Sequence, residues 1–234
     1  MHGNAVAFRA ALADLEDVQP DLIVSLGDVA QGGPQPRECV ALLRELGCPC
    51  VFGNSDEFLL TLDLGQEAET MEEERKARVL ETGRWSQQCL GDDGVAFLRA
   101  FRPTVEVDLD GLRVVCCHAT PTSNEDVVLP ATPPEEIPIE DDIVAAGHVH
   151  LQWSRRVRGS LWLCAGSVGL VWEHREPLDE VPFQPWSEYA VLARENGRLS
   201  VDFRRIPFDV EELLAAARAT DFPDVERWAA MWQR

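Results

Sequence analysis

Several short apolar runs in this sequence end directly in a glycine, aspartate, asparagine or histidine motif, and this arrangement constrains the fold most. Residues 21–26 (DLIVSL) form a nearly continuous run of leucine and β-branched residues, typical of a strand covered on both faces. Residues 4–18 and 36–46 show apolar positions at helical spacing. This alternation predicts an α/β fold with a largely parallel sheet. The runs and their motifs are residues 21–26 before Gly27-Asp28, residues 50–52 before Gly53-Asn54, and residues 112–117 before His118.

The second half of the chain has the pattern of strands. Alternating apolar residues at 105–109, a turn at Asp110-Gly111 and the apolar run 112–117 predict a β-hairpin. A second sheet is therefore expected to begin at this hairpin. Further strands are predicted at residues 143–146, 152–157, 161–164, 189–193 and 199–206, and short helices at residues 209–219 and 224–233.

Two stretches lack a strand pattern. Residues 56–101 have helical spacing and many charges but none of the motifs above, so we expect a helical cap inserted into a single domain of residues 1–234. Residues 119–142 are rich in proline, threonine and acidic residues with little periodicity. This pattern predicts a long loop, and long loops in compact domains are often functional.

The charge balance limits the classes of partner. The formal net charge is −20, so the outer surface repels the phosphate backbone of nucleic acids. A small phosphorylated substrate that reaches a cation-lined pocket is easier to reconcile with this charge. No run of about 18 apolar residues and no signal-peptide pattern occurs, which predicts a cytoplasmic protein without a membrane partner. The oligomeric state is not predicted.

The seven cysteines form an odd set, and most of them lie in apolar runs where a thiol behaves as a small hydrophobic group. We expect them to be reduced and buried. The pair in Cys48-Pro49-Cys50 is too closely spaced for a zinc knuckle and has no matching second pair. A structural role is therefore expected for both thiols.

The five histidines are distributed unevenly. Four of them, at positions 2, 118, 148 and 150, stand beside glycine, asparagine or threonine where a predicted strand ends or a motif begins. Loops at the ends of strands gather the ligands of α/β folds, so these histidines can converge with Asp28 and Asn54. His174 has no such partner, and we expect it to be an ordinary surface or loop residue.

The order of these motifs resembles the calcineurin-like metallophosphoesterase superfamily, whose pattern runs Asp-x-His, Gly-Asp, Gly-Asn-His-Asp/Glu, a lone His, and Gly-His-x-His. The run at residues 27–39 is similar to the Gly-Asp-x-x-x-x-Gly-Pro-x-Pro-x-Glu-Cys run of a bacterial and archaeal phosphodiesterase-like subfamily. Residues 165–169 and 203–214 resemble that subfamily's Pro-Gly-Ser-Val-Gly strand end and its carboxyl-terminal segment. The resemblance implies a four-layer α/β/β/α sandwich of two mixed sheets flanked by helices.

The resemblance also implies a binuclear centre with two divalent transition-metal ions, such as manganese, iron, zinc or nickel. Carried over by position, it makes Asp28 the bridging carboxylate, and it implies metal-bound hydroxide as the group that attacks phosphorus. Imidazole and amide ligands suit such metals. The implied ligands are His2 and His150 for the first ion and Asn54, His118 and His148 for the second. Asp28, Asn54 and His118 are further assigned to catalysis, and Ser55, Gly33 and Ser167 to substrate binding.

This sequence departs from the superfamily pattern twice. The first aspartate of the pattern would fall one residue before Met1, so we expect either a weakened first metal site or a longer protein with a strand ending in Asp-x before His2. Ser55 stands where many members carry a histidine that protonates the leaving group or holds the phosphate. Serine is a poor general acid near neutral pH, so good leaving groups and diesters should be favoured over alkyl monoesters.

Two other functions compete with hydrolysis of a small phosphoester. The first is a catalytically weak or inactive scaffold of the same fold that binds a protein partner, and the two departures above keep it open. His118, His148 and His150 favour catalysis, because scaffolds of this kind usually lose several metal histidines. A metal-dependent nuclease is disfavoured by the net charge of −20.

Overall fold

Two β-sheets flanked by helices make up this mixed α/β chain. The computed structural model describes residues 1–65, 67–172 and 181–232. A five-stranded sheet has the order β1-β2-β3-β5-β4, and β6 and β7 form a two-stranded sheet. The strands predicted from residue 104 onward are confirmed to within a few residues. They are Thr104–Leu109 (β1), Leu112–Cys117 (β2), Ile143–Ala146 (β3), Gln152–Val157 (β4), Ser160–Ala165 (β5), Trp186–Glu195 (β6) and Arg198–Pro207 (β7).

The five-stranded sheet has a parallel centre. Strands β2, β3 and β5 are parallel neighbours, while β1 and β4 pair antiparallel at the two edges. The carboxyl ends of the three parallel strands therefore meet at one edge of the sheet. His118 follows β2, Gly147-His148 follow β3, and Gly166-Ser167 follow β5 at that edge.

Tight two-residue turns set the register of the antiparallel pairs. In each turn both residues have positive φ, between +49° and +96°, which matches the right-handed twist of a two-residue hairpin. The β6–β7 sheet is purely antiparallel for this reason, rather than mixed as predicted. The turns are Asp110-Gly111, Arg158-Gly159 and Asn196-Gly197.

Seven helices lie outside the two sheets in the described residues. Helix α3 begins at Asn54, two residues before the predicted helical insertion of residues 56–101, so it carries part of the polar motif in its first turn. The long helix of this region is kinked at Gly91, which has φ of +60°. The helices are Ala5–Val18 (α1), Pro36–Leu46 (α2), Asn54–Thr61 (α3), Glu67–Thr70 (α4), Glu73–Leu98 (α5), Val210–Arg218 (α6) and Val225–Ala230 (α7).

The predicted strands at residues 21–26 and 50–52 are not formed, and this prediction was wrong. The two segments are extended, but Ser25 and Cys50 make only a single parallel bridge. Ser25 N donates to Pro49 O, and Pro49 has no N–H to extend the ladder. A continuous apolar run predicts burial, whereas a strand also needs a neighbouring segment that pairs with it over several residues.

One part of the core lies between the two sheets. Apolar residues of β2, β3 and β5 pack there against the inner face of β6 and β7. The opposite face of the five-stranded sheet is centred on Trp162, which is 1% exposed. Val128, Ile137 and Ile139 from the long loop at residues 119–142 cover this face. The predicted loop therefore contributes to the core as well as connecting β2 to β3.

The cysteines are all free, as predicted, and five of them are buried. Cys48 and Cys89 are only half-buried, so the prediction of burial was wrong for these two. In the described part of the chain, no helix has the length and apolar character required to cross a membrane.

Candidate metal centre

Asp28 occupies a buried loop that local backbone geometry holds in place. Asp28 is 4% exposed, and both Gly27 and Asp28 have positive φ, +94° and +55°. A positive φ costs a non-glycine residue free energy, so contacts must stabilise it. The carboxylate of Asp56, which is 0% exposed, accepts hydrogen bonds from Asp28 N at 2.8 Å, Val29 N at 2.9 Å and Gly53 N at 3.1 Å. Asp56 therefore joins the Asp28 loop to the start of α3.

One group of donor atoms lies on the amino-terminal side of Asp28. His2 Nε2 lies 3.3 Å from Asp28 Oδ2 and 2.9 Å from His150 Nε2. His2 and His150 are both buried and both have positive φ, +53° in each case. Ligand atoms of His2, Asp28 and His150 all lie within 4.8 Å of one another, close enough to bind one ion.

A second group lies on the other side of the same carboxylate. His118 Nε2 is 2.9 Å from Asn54 Oδ1, 3.2 Å from His148 Nδ1 and 3.4 Å from Asp28 Oδ2. The helix start supplies Asn54, and the ends of β2 and β3 supply the two histidines. Asp28 Oδ2 thus faces both histidine groups at once, as a bridging carboxylate would.

Backbone carbonyls orient three of the imidazoles. A carbonyl can only accept a hydrogen bond, so the Nδ1 atom that contacts it carries a proton and donates. In neutral imidazole, Nε2 then presents a lone pair to the centre. A hydrogen bond from the other ring nitrogen usually fixes the tautomer and the ring orientation of a metal-binding histidine in this way. The three bonds run from His2 to Gln31 O at 3.0 Å, from His118 to Leu26 O at 2.7 Å and from His150 to Leu170 O at 2.6 Å.

This donor set fits divalent transition-metal ions. Two Nε2 lone pairs only 2.9 Å apart, on His2 and His150, repel each other unless a cation or a proton lies between or beside them. Imidazole nitrogen, carboxylate oxygen and amide oxygen are the donors that manganese, iron, zinc and nickel accept. The residues would therefore hold one ion at His2 and His150, another at Asn54, His118 and His148, with Asp28 between them.

The titration behaviour of the centre agrees with this arrangement. Burial opposes ionisation of Asp28, but the adjacent His118 and His2 imidazoles hold its pKa well below the ordinary value. Burial lowers the pKa of His150 well below its ordinary range, with a further contribution from His2, and burial together with His118 lowers that of His148 to about 4. Burial opposes the charged form of His118, but the adjacent Asp28 carboxylate raises the pKa of this imidazole above its ordinary value. A metal ion that binds at His118 therefore displaces a proton, since neutral imidazole and ionised carboxylate are the forms that bind metal.

The residues predicted to bind substrate occupy three different environments. Ser55 lies in the centre, where its Oγ donates to Asp28 Oδ2 at 3.0 Å. Gly33 packs its backbone against His2 and Gly3, and a side chain at this position would overlap them. Ser167 is buried, and its Oγ accepts from Leu170 N at 3.2 Å, in the turn whose carbonyl orients a ligand imidazole.

Gly53→Ala is expected to weaken metal binding strongly while the chain stays folded. Gly53 has φ of −92°, which alanine adopts freely, but its Cβ would lie 2.7 Å from Asp28 N and would overlap the Asp28 carboxylate. Metal titration by calorimetry and the thermal midpoint check this. The control is Gly83→Ala, whose Cβ would press on the Phe58 ring, so the thermal midpoint should fall while metal affinity is kept. Equal metal affinity in both variants would contradict the prediction.

Several contributing residues were missed from the sequence. Asp56 occupies the last position of the Gly-Asn-x-Asp motif, a signal that could have pointed to it. Gln31 and Leu170 contribute through backbone carbonyls, which side-chain identity does not reveal. Trp172 stacks on His150 with ring centroids 4.1 Å apart. His174 lies outside the described residues.

Comparison with known proteins identifies the family of this chain. The model of the calcineurin-like phosphoesterase superfamily domain matches residues 1–180. The chain belongs to this superfamily. The resemblance inferred from the motifs is thereby confirmed. Membership supports hydrolysis of phosphoester bonds as the general activity, and it implies divalent metal cofactors.

Similar proteins come from archaea and bacteria. The sequence is 27% identical over 172 residues to an uncharacterized protein of Methanocaldococcus jannaschii, across 73% of this chain and 68% of that protein. A hypothetical protein of Pyrococcus horikoshii OT3 has a similar structure, with a TM-score of 0.78, 17% identity, and coverage of 99% of this chain and 94% of that chain. A metallophosphoesterase of Sphaerobacter thermophilus has a TM-score of 0.67, 23% identity, and coverage of 98% and 95%. These two structures show that the fold is shared.

Proposed function

We propose that this chain hydrolyses phosphoester bonds of a small phosphorylated molecule or a phosphoprotein and uses two divalent transition-metal ions. The observation that carries the proposal is the position of Asp28 Oδ2, 3.3 Å from His2 Nε2 and 3.4 Å from His118 Nε2. A carboxylate between two groups of imidazoles can neutralise and bridge two cations.

The side chains of the centre would position the two metal ions. His2 and His150 on one side, and Asn54, His118 and His148 on the other, would hold the ions against Asp28. When bound, the ions would acidify a water molecule and neutralise charge on the phosphoryl oxygens. Attack on phosphorus by that water requires no side-chain nucleophile.

Ser55 narrows the class of substrate. Its Oγ donates to Asp28 Oδ2 and its backbone N donates to Asp28 Oδ1 at 2.9 Å, so Ser55 is engaged with the carboxylate. Each histidine of the described residues belongs to the two metal-binding groups, so none of these imidazoles is left over as a general acid. Esters whose leaving group needs little protonation, such as aryl esters and diesters, are therefore favoured over alkyl monoesters.

Charge supports a small substrate rather than a nucleic acid. The net charge of −20 repels a polyanionic backbone as a whole. A substrate with one or two phosphoryl groups meets mainly the cations of the site. We therefore propose a small phosphorylated partner for this centre.

The proposal is tested by hydrolysis assays on metal-stripped protein to which manganese is added back. We expect manganese-dependent hydrolysis of an aryl phosphodiester, weaker hydrolysis of an aryl monoester, and little hydrolysis of an alkyl monoester. His148→Ala should abolish turnover without loss of fold, because His148 supplies a metal ligand. Protein that binds manganese and hydrolyses none of the three esters would refute the proposal and would support the scaffold alternative.

A further inference from the structure

Six aromatic side chains in the carboxyl-terminal part of the chain pack in a connected series, which we call the C-terminal aromatic cluster. Neighbouring ring centroids in the series lie 5.1 to 6.4 Å apart. All but one of the six lie beyond residues 1–180, the part that the family model matches. The cluster comprises Trp172, Phe183, Phe208, Phe222, Trp228 and Trp232.

The cluster reaches both histidines of the first metal-binding group. Trp172 stacks on the ring of His150. Elsewhere in the cluster, Trp228 Nε1 donates to Gly32 O at 3.0 Å. The preceding carbonyl, Gln31 O, accepts the hydrogen bond from His2 Nδ1 at 3.0 Å. Two successive carbonyls of one loop thus connect the Trp228 indole to the His2 imidazole.

The Trp228 contact adds to the packing of Gly33 against His2 and Gly3 in fixing the orientation of this loop. The loop is a turn without helix or strand pairing, and Gly32 has φ of +105°, a conformation that glycine adopts readily. Rotation of the backbone at Gly32 would turn the Gln31 carbonyl away from the His2 ring. A donor on the Gly32 carbonyl opposes that rotation.

We propose that Trp228 is a positioning residue for His2, because its indole N–H holds the Gly32 carbonyl and thereby the Gln31 carbonyl that orients the imidazole. The inference rests on the proposed function in one respect, since it takes His2 as a metal ligand. It assigns a role in the metal centre to α7, which follows the matched part of the chain.

Two tryptophans of α7 and the residues that follow it allow a matched test. Trp228→Phe keeps a ring for the contacts with Phe222 and Trp232 but removes the indole N–H. Trp232→Phe is the control, because the Trp232 Nε1 atom is buried and has no hydrogen-bond partner among the described residues. Trp228→Tyr is a second variant, which lacks the indole N–H and carries a six-membered ring with a hydroxyl group.

The first readout is a histidine ¹⁵N NMR spectrum of the metal-free protein. Trp228→Phe and Trp228→Tyr should shift the His2 ring nitrogens, whereas His118, held by Leu26 O, should be unchanged. Trp232→Phe should leave both histidines unchanged. This readout needs neither metal nor turnover, so its failure is distinct from failure of the proposed function.

The second readout is the dissociation constant for Mn²⁺, measured by calorimetry. Loss of a direct hydrogen-bond partner of a ligand costs about 10–100-fold in metal affinity. Trp228 acts one bond further out, so we expect about 3–10-fold weaker binding in the Trp228 variants and no change in Trp232→Phe. The proposal is overturned if the His2 signals match the wild type in both Trp228 variants, or if Trp232→Phe changes them equally.

Discussion

Asp28→Asn is expected to abolish metal-dependent hydrolysis and to weaken metal binding by more than about a hundredfold. Loss of a residue that only hydrogen-bonds to a metal ligand already weakens metal binding by up to about a hundredfold, and loss of a ligand itself should cost more. An asparagine side chain has one acceptor oxygen instead of two. Its amide NH₂ would face the His2 or His118 imidazole where Asp28 Oδ2 now lies 3.3 and 3.4 Å away. The negative charge between the two cation positions would also be lost. Calorimetric titration with Mn²⁺, metal content and hydrolysis of an aryl phosphodiester measure the effect.

Asp14→Asn is the matched control for this substitution. Asp14 in α1 accepts two hydrogen bonds from Arg204 in β7, at 2.7 and 3.0 Å, and one from Tyr189 in β6. The Arg204 and Tyr189 donors lower the pKa of Asp14 below its ordinary value. This variant should lower the thermal midpoint and keep metal affinity. The bridging role of Asp28 would be rejected if both variants bound Mn²⁺ as tightly as the wild type.

Asp56→Ala is expected to destabilise the fold and to weaken the metal centre together. Three buried backbone N–H groups, on Asp28, Val29 and Gly53, would lose their acceptor. A buried donor left unpaired costs about 1–3 kcal/mol, so the free energy of unfolding should fall by about 3 kcal/mol or more. Burial and the nearby Asp28 charge raise the pKa of Asp56 to about 6, so relief of the buried charge offsets part of this loss. Urea unfolding of the metal-free protein measures the change.

Asp209→Ala is the control for Asp56→Ala, because it destabilises the fold at a helix start that lies outside the metal centre. Asp209 accepts hydrogen bonds from two backbone N–H groups, Glu211 N and Glu212 N, at the start of α6. Removing such an N-terminal cap costs about 1 kcal/mol. Metal affinity should be unchanged in Asp209→Ala and reduced in Asp56→Ala even under conditions where both are fully folded. Unchanged Mn²⁺ affinity in folded Asp56→Ala would show that the Asp28 loop holds its geometry without Asp56.

Much of the architecture could be predicted because it depends on local patterns. The hairpin at Asp110-Gly111 has the residues that a two-residue turn with positive φ requires, and alternating apolar residues mark the flanking strands. Asn4 caps α1, and Gly47 ends α2 with φ of +64°. In each case the signal lies within a few residues of the structure it produces.

The strand prediction for residues 21–26 was wrong because strand formation there depends on residues that are distant in the sequence. Leu22 is 49% exposed, and within this run only Ser25 is buried. Whether such a segment becomes a strand depends on a partner from elsewhere in the chain. Ser25 finds that partner in Cys50 for a single bridge.

The sequence by itself identified the side chains that the structure brings together. Four histidines, one aspartate and one asparagine stand beside glycines or at the ends of predicted strands, and the order of these motifs, rather than any one of them, carried the prediction. Tertiary structure alone decided how these groups are held. Gln31 O and Leu170 O orient His2 and His150, and Trp228 reaches Gly32 O across 196 positions of the chain. A backbone carbonyl is the same in every residue, so its partner is set by the path of the folded chain and has no signature in the sequence.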